Sequence, residues 1–206
     1  MGTFILILAS IIWGAVHSVL ASHGAKDAAR RSLGAGFMRW YRLLYNGFSL
    51  VTFLPLIMLT ALLPDRLLYT IPEPWIYLTL TIQAAAALCL LLAVLQTDVW
   101  TFAGLSQPFR GEGGAGQLVT TGMYRLVRHP LYTTGLVILW LAPQMTVNRL
   151  VLIICLSLYI FIGAYFEERK LGRDFGPVYA EYKARTPMFL PGLKIRPPDS
   201  QAAGNS

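Results

Sequence analysis

The stretch TTGMYRLVRHPLYTTG, residues 120–135, sets two arginines, a histidine, a proline and two tyrosines at the edge of a long apolar run. His129, Tyr132, Leu136 and Trp140 follow helical spacing, so they share roughly one face with a polar mouth and an aromatic floor. Pro130 suits the first position of a helix, where its missing N–H costs nothing. Free amides near Leu131 would then favour a negative group. A second polar set, Glu167-Glu168, closes another apolar run. Two carboxylates beside a membrane span are costly unless paired or hydrated. Carboxylates attract an ammonium and aromatic faces attract a sulfonium, so together the sets suit a cationic ligand. The plainer readings are a basic interfacial cap for the first set and a solvated tail, with Arg169 and Lys170 as partners, for the second. A third set, GEGGAG within residues 104–118, superficially suggests a phosphate-binding loop. No strand precedes it and no Lys-Ser follows, so it reads better as a flexible lid.

The elements that must position these groups follow from the charge pattern. Of 206 residues, 55% are hydrophobic and 13% charged, about half the charged share of a soluble domain, which is roughly 25%. Residues 1–22, 43–64, 74–97, 130–148 and 150–166 contain no Asp, Glu, Lys or Arg. About 20 apolar residues cross a bilayer as a helix. The fold class is therefore all-α: a polytopic membrane protein with about five transmembrane helices. Its last two spans form a hairpin turning at Asn148-Arg149, which brings His129 and Glu167 to the same end. Ala21-Ser22 resembles a signal-peptide cleavage site. But basic residues follow the first span rather than precede it, so the first helix is expected to be retained.

Fifteen Lys and Arg lie in 23–42, 98–129 and from 167 onward, against Arg66 and Arg149 in the alternate loops. This bias predicts an inner-membrane protein with its N-terminus outside and its C-terminus and cofactor pocket in the cytoplasm. The net charge of +7 then reflects topology and anionic headgroups rather than nucleic acid. Cys89 and Cys155 sit within apolar spans and read as small core residues. No metal-ligand cluster is visible. Residues 1–97 read as a three-helix membrane region, 98–194 as a cofactor-binding region and 195–206 as a disordered tail. Within 23–42, a short interfacial helix is expected to end at Gly34 and Gly36. The small residues of AAAALCLLLA in the third span favour close helix packing.

GMYRLVRHPLY, followed some forty residues later by EERKLGRDFGPVYAEYKARTPMFLP, resembles the isoprenylcysteine carboxyl methyltransferase and phospholipid methyltransferase group of integral-membrane enzymes. The resemblance covers roughly residues 95–192. R-H-P-x-Y, E-E and F-G-x-x-Y-x-x-Y at this spacing are specific together, more so than any one alone. The resemblance implies S-adenosyl-L-methionine (SAM) as methyl donor. By position, Gln117, Leu118, Val119, Tyr124, His129, Pro130, Tyr132 and Glu167 or Glu168 would bind it. The glutamate would meet the cofactor ammonium, and His129 and Tyr132 would lie against the adenosine and methionine parts as the catalytic residues. Enzymes of this group that methylate prenylated cysteine carry an arginine one turn before the glutamate pair. Gly163 and Ala164 stand there in this chain. DVWTFAGLSQ, LAPQMTVNRL and GAVHSVLAS are more similar to the bacterial branch that includes methanethiol S-methyltransferases and relatives linked to nitrogen-oxide metabolism. A small or lipophilic thiol arriving among membrane lipids is the expected acceptor. A prenylcysteine carboxylate and a phospholipid amine are the alternatives. His17 is either a helix-packing polar residue or part of a substrate tunnel. Rival readings are an NADPH-dependent reductase of the steroid 5-alpha type and a non-enzymatic membrane partner in nitrogen-oxide metabolism.

Overall fold

The computed structural model describes residues 1–97, 99–106 and 118–192. The expected lid lies mostly, and Gln117 and the expected disordered tail lie wholly, outside the described residues. The described chain runs α1 (Gly2–Ala21), α2 (His23–Leu62), β1 (Leu67–Thr70), α3 (Trp75–Leu95), α4 (Val99–Ala103), α5 (Met123–Leu126), α6 (Pro130–Trp140), β2 (Gln144–Thr146) and α7 (Val147–Arg185). It is an all-α polytopic membrane protein with one small two-stranded sheet.

Four helices, α1, α2, α3 and α7, are long and apolar enough to cross a membrane. Many of their large side chains face outward: Phe4, Leu50 and Leu158 are each more than half exposed. A lipid solvent makes this favourable, because acyl chains are as apolar as the side chains they meet. The inward faces meet at Leu6, Leu56 and Leu152, with Trp13 and Phe53 packed against them. α1 lies between α2 and α7, and α3 runs along α6. On that contact Ala86 and Ala93 are buried, as the small-residue run predicted. Gln83 Nε2 donates to Ile138 O at 2.8 Å, fixing the pair in register.

The fifth expected span differs in form. α6 has 11 residues, about 16 Å at 1.5 Å per residue, against a hydrocarbon core of about 30 Å. Pro143 explains the stop: it has no N–H to donate, and it biases the residue before it away from helix. The chain continues extended through β2, which pairs antiparallel with β1 (Leu67 opposite Thr146, Thr70 opposite Gln144). The last two segments are antiparallel neighbours, as expected, but their connection is 141–146 rather than Asn148-Arg149. Asn148 already lies in the first turn of α7. Thr146 Oγ1 caps that turn by accepting from Arg149 N at 3.2 Å, and Asp65 Oδ1 accepts from Asn148 N at 3.0 Å.

α2 is two helices in one. Gly34, at φ 79° and ψ 172°, breaks it, so the basic stretch 23–33 forms its own short helix, as the glycines predicted. Arg66 and Arg149 lie at the β-sheet end, while the other described basic segments gather at the opposite end with His129 and Glu168.

Candidate functional site

A chain reversal builds the site. Gly176, at φ 52° and ψ −126°, interrupts α7, a conformation open to glycine and strained for other residues. Pro177 then starts the last helical segment without wasting an N–H. That segment turns back. Tyr179 Oη donates to Glu168 Oε1 at 2.6 Å, and Tyr182 Oη donates to Tyr124 O at 2.6 Å. The chain past Arg185 then runs beside the start of α6. Arg128 N donates to Pro187 O at 2.9 Å and His129 N to Met188 O at 3.1 Å. Thr133 Oγ1 donates to Phe189 O at 2.9 Å. On the far side, Gln96 Oε1 at the end of α3 accepts from Met123 N at 2.8 Å, fixing the one-turn α5. Gly176→Val should strain the reversal by roughly 1–3 kcal/mol and loosen the Tyr179–Glu168 bond. Thermal unfolding in detergent should show the loss; an unchanged midpoint would mean the reversal is held elsewhere.

Glu168 is the centre of this construction. Arg128 grips it with two parallel bonds, Nε to Oε1 at 2.7 Å and Nη2 to Oε2 at 2.8 Å. His129 Nε2 lies 3.1 Å from Oε1; a carboxylate only accepts, so this nitrogen carries the proton. Lys183 Nζ lies 3.1 Å from Oε2. Arg128 Nη1 also donates to the carbonyls of Lys183 and Thr186, the free acceptors at the end of α7. The Arg128 and Glu168 side chains are only 8% and 6% exposed. Burial alone would raise the Glu168 pKa, but the bonds from His129, Arg128 and Tyr179 outweigh it and hold the carboxyl well below the ordinary glutamate range. Burial and the bond to ionised Glu168 push the Tyr179 phenol up.

Glu167 contrasts with it. Its side chain is 44% exposed and receives one hydrogen bond, from Tyr132 Oη at 2.9 Å. The His129 ring stacks on Tyr132 with centroids 5.3 Å apart and planes 12° from parallel. Phe189 lies 5.7 Å from the same imidazole, and Phe161 meets Phe189 edge-on at 5.1 Å. The result is an accessible carboxylate at the rim of an aromatic floor, beside a buried ion cluster that fixes its walls.

The family described as NnrU protein matches residues 5–194. The chain belongs to the NnrU protein family. It is 38% identical over 103 residues to methanethiol S-methyltransferase 2 of Bradyrhizobium diazoefficiens, covering 48% of this chain and 40% of that relative. It is 41% identical over 82 residues to a methanethiol S-methyltransferase of Pseudomonas deceptionensis, covering 40% of this chain and 31% of that relative. The chain thus matches less than half the length of these curated relatives. No solved structure matches it. The resemblance to integral-membrane methyltransferases read from R-H-P-x-Y and E-E stands on these matches.

In this NnrU-family chain the expected site residues gather unevenly. His129, Pro130, Tyr132, Glu167 and Glu168 meet at one point. Tyr124 joins them: burial and nearby Glu167 both push its phenol up. Leu118 and Val119 are half-buried in the approach to Gly122. Arg128, Lys183 and the 186–189 return carry much of the architecture and were not singled out from sequence. Tyr179 and Tyr182 stood in the F-G-x-x-Y-x-x-Y motif without a role. The three-residue tyrosine spacing after Gly-Pro was the available signal.

Proposed function

We propose that this protein is an integral-membrane methyltransferase that uses SAM as methyl donor. The observation that carries the reading is Glu167: an accessible carboxylate beside stacked aromatic faces, held where a cation would be bound from both sides. The donor set fits this cofactor. Glu167 accepts the ammonium of its amino-acid part. His129 and Tyr132 would lie against its methionine and adenosine parts, with Tyr124 and Pro130 shaping the wall and Leu118 and Val119 closing the approach. Glu168, already engaged by Arg128, His129, Tyr179 and Lys183, holds these groups in place. SAM supplies an electrophilic methyl on a sulfonium. The chain's contribution is positioning and exclusion of water, with Phe161 and Phe189 walling the floor.

The acceptor in this reading is a small or lipophilic thiol entering from the lipid side, in line with the names of the similar enzymes. Gly163 and Ala164 leave no basic group one turn before Glu167 to hold a substrate carboxylate. Residues 98–194 would carry the donor site and 1–97 the remaining wall of the acceptor path. The crowding of Lys and Arg at the site end supports a cytoplasmic position for that end.

Calorimetric titration of the detergent-purified protein with SAM, and in parallel with NADPH, tests the reading. Micromolar binding of SAM and none of NADPH is expected. Heat only on adding NADPH would move the chain to the reductases, and no binding of either would favour a partner role without catalysis.

A further inference from the structure

A second polar cluster lies inside the membrane region, and the donor site does not use it. His17 of α1 is bracketed by two hydroxyls of α2: Tyr45 Oη lies 2.5 Å from Nε2 and Ser49 Oγ 2.8 Å from Nδ1. Trp13 stacks on the imidazole with centroids 5.0 Å apart. Tyr159 of α7 meets it edge-on at 5.8 Å. The proton positions follow from the bonds. Ser49 spends its single hydrogen on Tyr45 O at 2.7 Å, so it must accept from His17 Nδ1–H. Nε2 is then bare, and Tyr45 Oη donates to it. His17, Tyr45, Ser49 and Tyr159 are all half-buried.

The cluster and the donor site are joined along one helix. Tyr159, Gly163 and Glu167 recur at four-residue intervals, so they line one stripe of α7, and eight residues carry it about 12 Å. A Cβ at Gly163 would have nothing within 4 Å, so no side chain fills the stripe midway. The Tyr132 hydroxyl binds Glu167 at the donor-site end of this stripe.

We propose that Tyr45 and His17 form the proton-accepting pair for a neutral thiol that enters from the lipid side; this rests on the methyltransferase reading above. The thiol proton passes to Tyr45 Oη as the tyrosine proton moves to His17 Nε2. The thiol sulfur forms its bond to the donor methyl as the sulfonium–methyl bond breaks, and that electron pair leaves with the departing thioether. The imidazolium later returns its proton to water. The titratable groups facing His17 are Tyr45 from α2 and Tyr159 from α7. No charged side chain contacts the ring among the described residues.

The test compares methyl transfer from SAM to an alkanethiol, largely protonated at neutral pH, and to an aromatic thiol already ionised there. Native protein, His17→Gln and Tyr45→Phe are assayed, with SAM binding and thermal unfolding measured on each. With the alkanethiol both variants should lose roughly 100-fold, a usual share for general-base catalysis. With the ionised thiol they should lose little, and SAM binding should be intact. Equal losses with both thiols would assign the cluster to packing and overturn the proposal, as would no loss with either. If His17→Gln fails to fold, Tyr45→Phe decides alone by the same contrast. Failure of the native protein to bind SAM would sink the methyltransferase reading itself and this inference with it. Native SAM binding with no transfer to either thiol would overturn this inference alone.

Discussion

Replacing Arg128 with methionine is expected to unfold the C-terminal half of the site. The substitution keeps much of the side-chain volume and removes the charge. It leaves a buried carboxylate without its two-point partner and frees the carbonyls of Lys183 and Thr186 at the end of α7. Breaking a buried ion pair costs about 3–5 kcal/mol. His129, Tyr179 and Lys183 still reach Glu168, so the lower figure applies. For a chain of this size, about 3 kcal/mol corresponds to a fall of roughly 6–12 °C in the unfolding midpoint, readable by tryptophan fluorescence in detergent. A shift within error would mean that Lys183 alone neutralises Glu168. The same cluster sets a pH dependence. Glu168 titrates below its ordinary value of 4.5, so its stabilisation is present above that pH. It is lost progressively as pH falls from 4.5 toward the lower folded value. The native protein should therefore lose stability on acidification through that range, and Arg128→Met should lose less.

The two adjacent glutamates should separate cleanly by experiment. Glu167→Gln is expected to weaken SAM binding roughly 10- to 100-fold, from the ~1.5–3 kcal/mol carried by a hydrogen bond to a charged group. It should leave the unfolding midpoint nearly unchanged, because the side chain is 44% exposed and is held by one hydrogen bond, from Tyr132, with His129 Nδ1 3.7 Å away. Glu168→Gln should lower the midpoint instead, because Arg128 and Lys183 lose the charge they enclose. Calorimetry and thermal unfolding on both variants read the contrast. The reverse pattern would exchange the roles assigned to them.

The long apolar helices were legible because charge-free stretches of that length have few other fates. So was the meeting of His129 with Glu167, since both stood at matching ends of neighbouring runs. The difference between Glu167 and Glu168 was not legible. Neighbours in a helix point about 100° apart, and only the fold shows which one faces Arg128. Arg128 looked like an interfacial anchor because a membrane edge is rich in such residues, and its partners lie 40 to 58 positions away. The extended 141–146 connection was hidden by its apolar composition, which reads equally well as helix; only Pro143 pointed to it. The Tyr45–His17 pair could not be found by spacing either, since it joins two different helices.

The return of residues 186–189 beneath Arg128 and His129 has a consequence for the order of events in the cell. The backbone bonds to Pro187 and Met188 close a loop of nearly sixty residues, so the floor of the cradle does not form from local sequence alone. A chain is made from its N-terminus, and its early regions begin to fold first. The four long helices can therefore enter the membrane while the ion cluster still lacks its floor. Glu168 must wait with Arg128 until residues 186–189 have emerged. Closure of the ion cluster is thus coupled to synthesis of that segment rather than to insertion of the long helices.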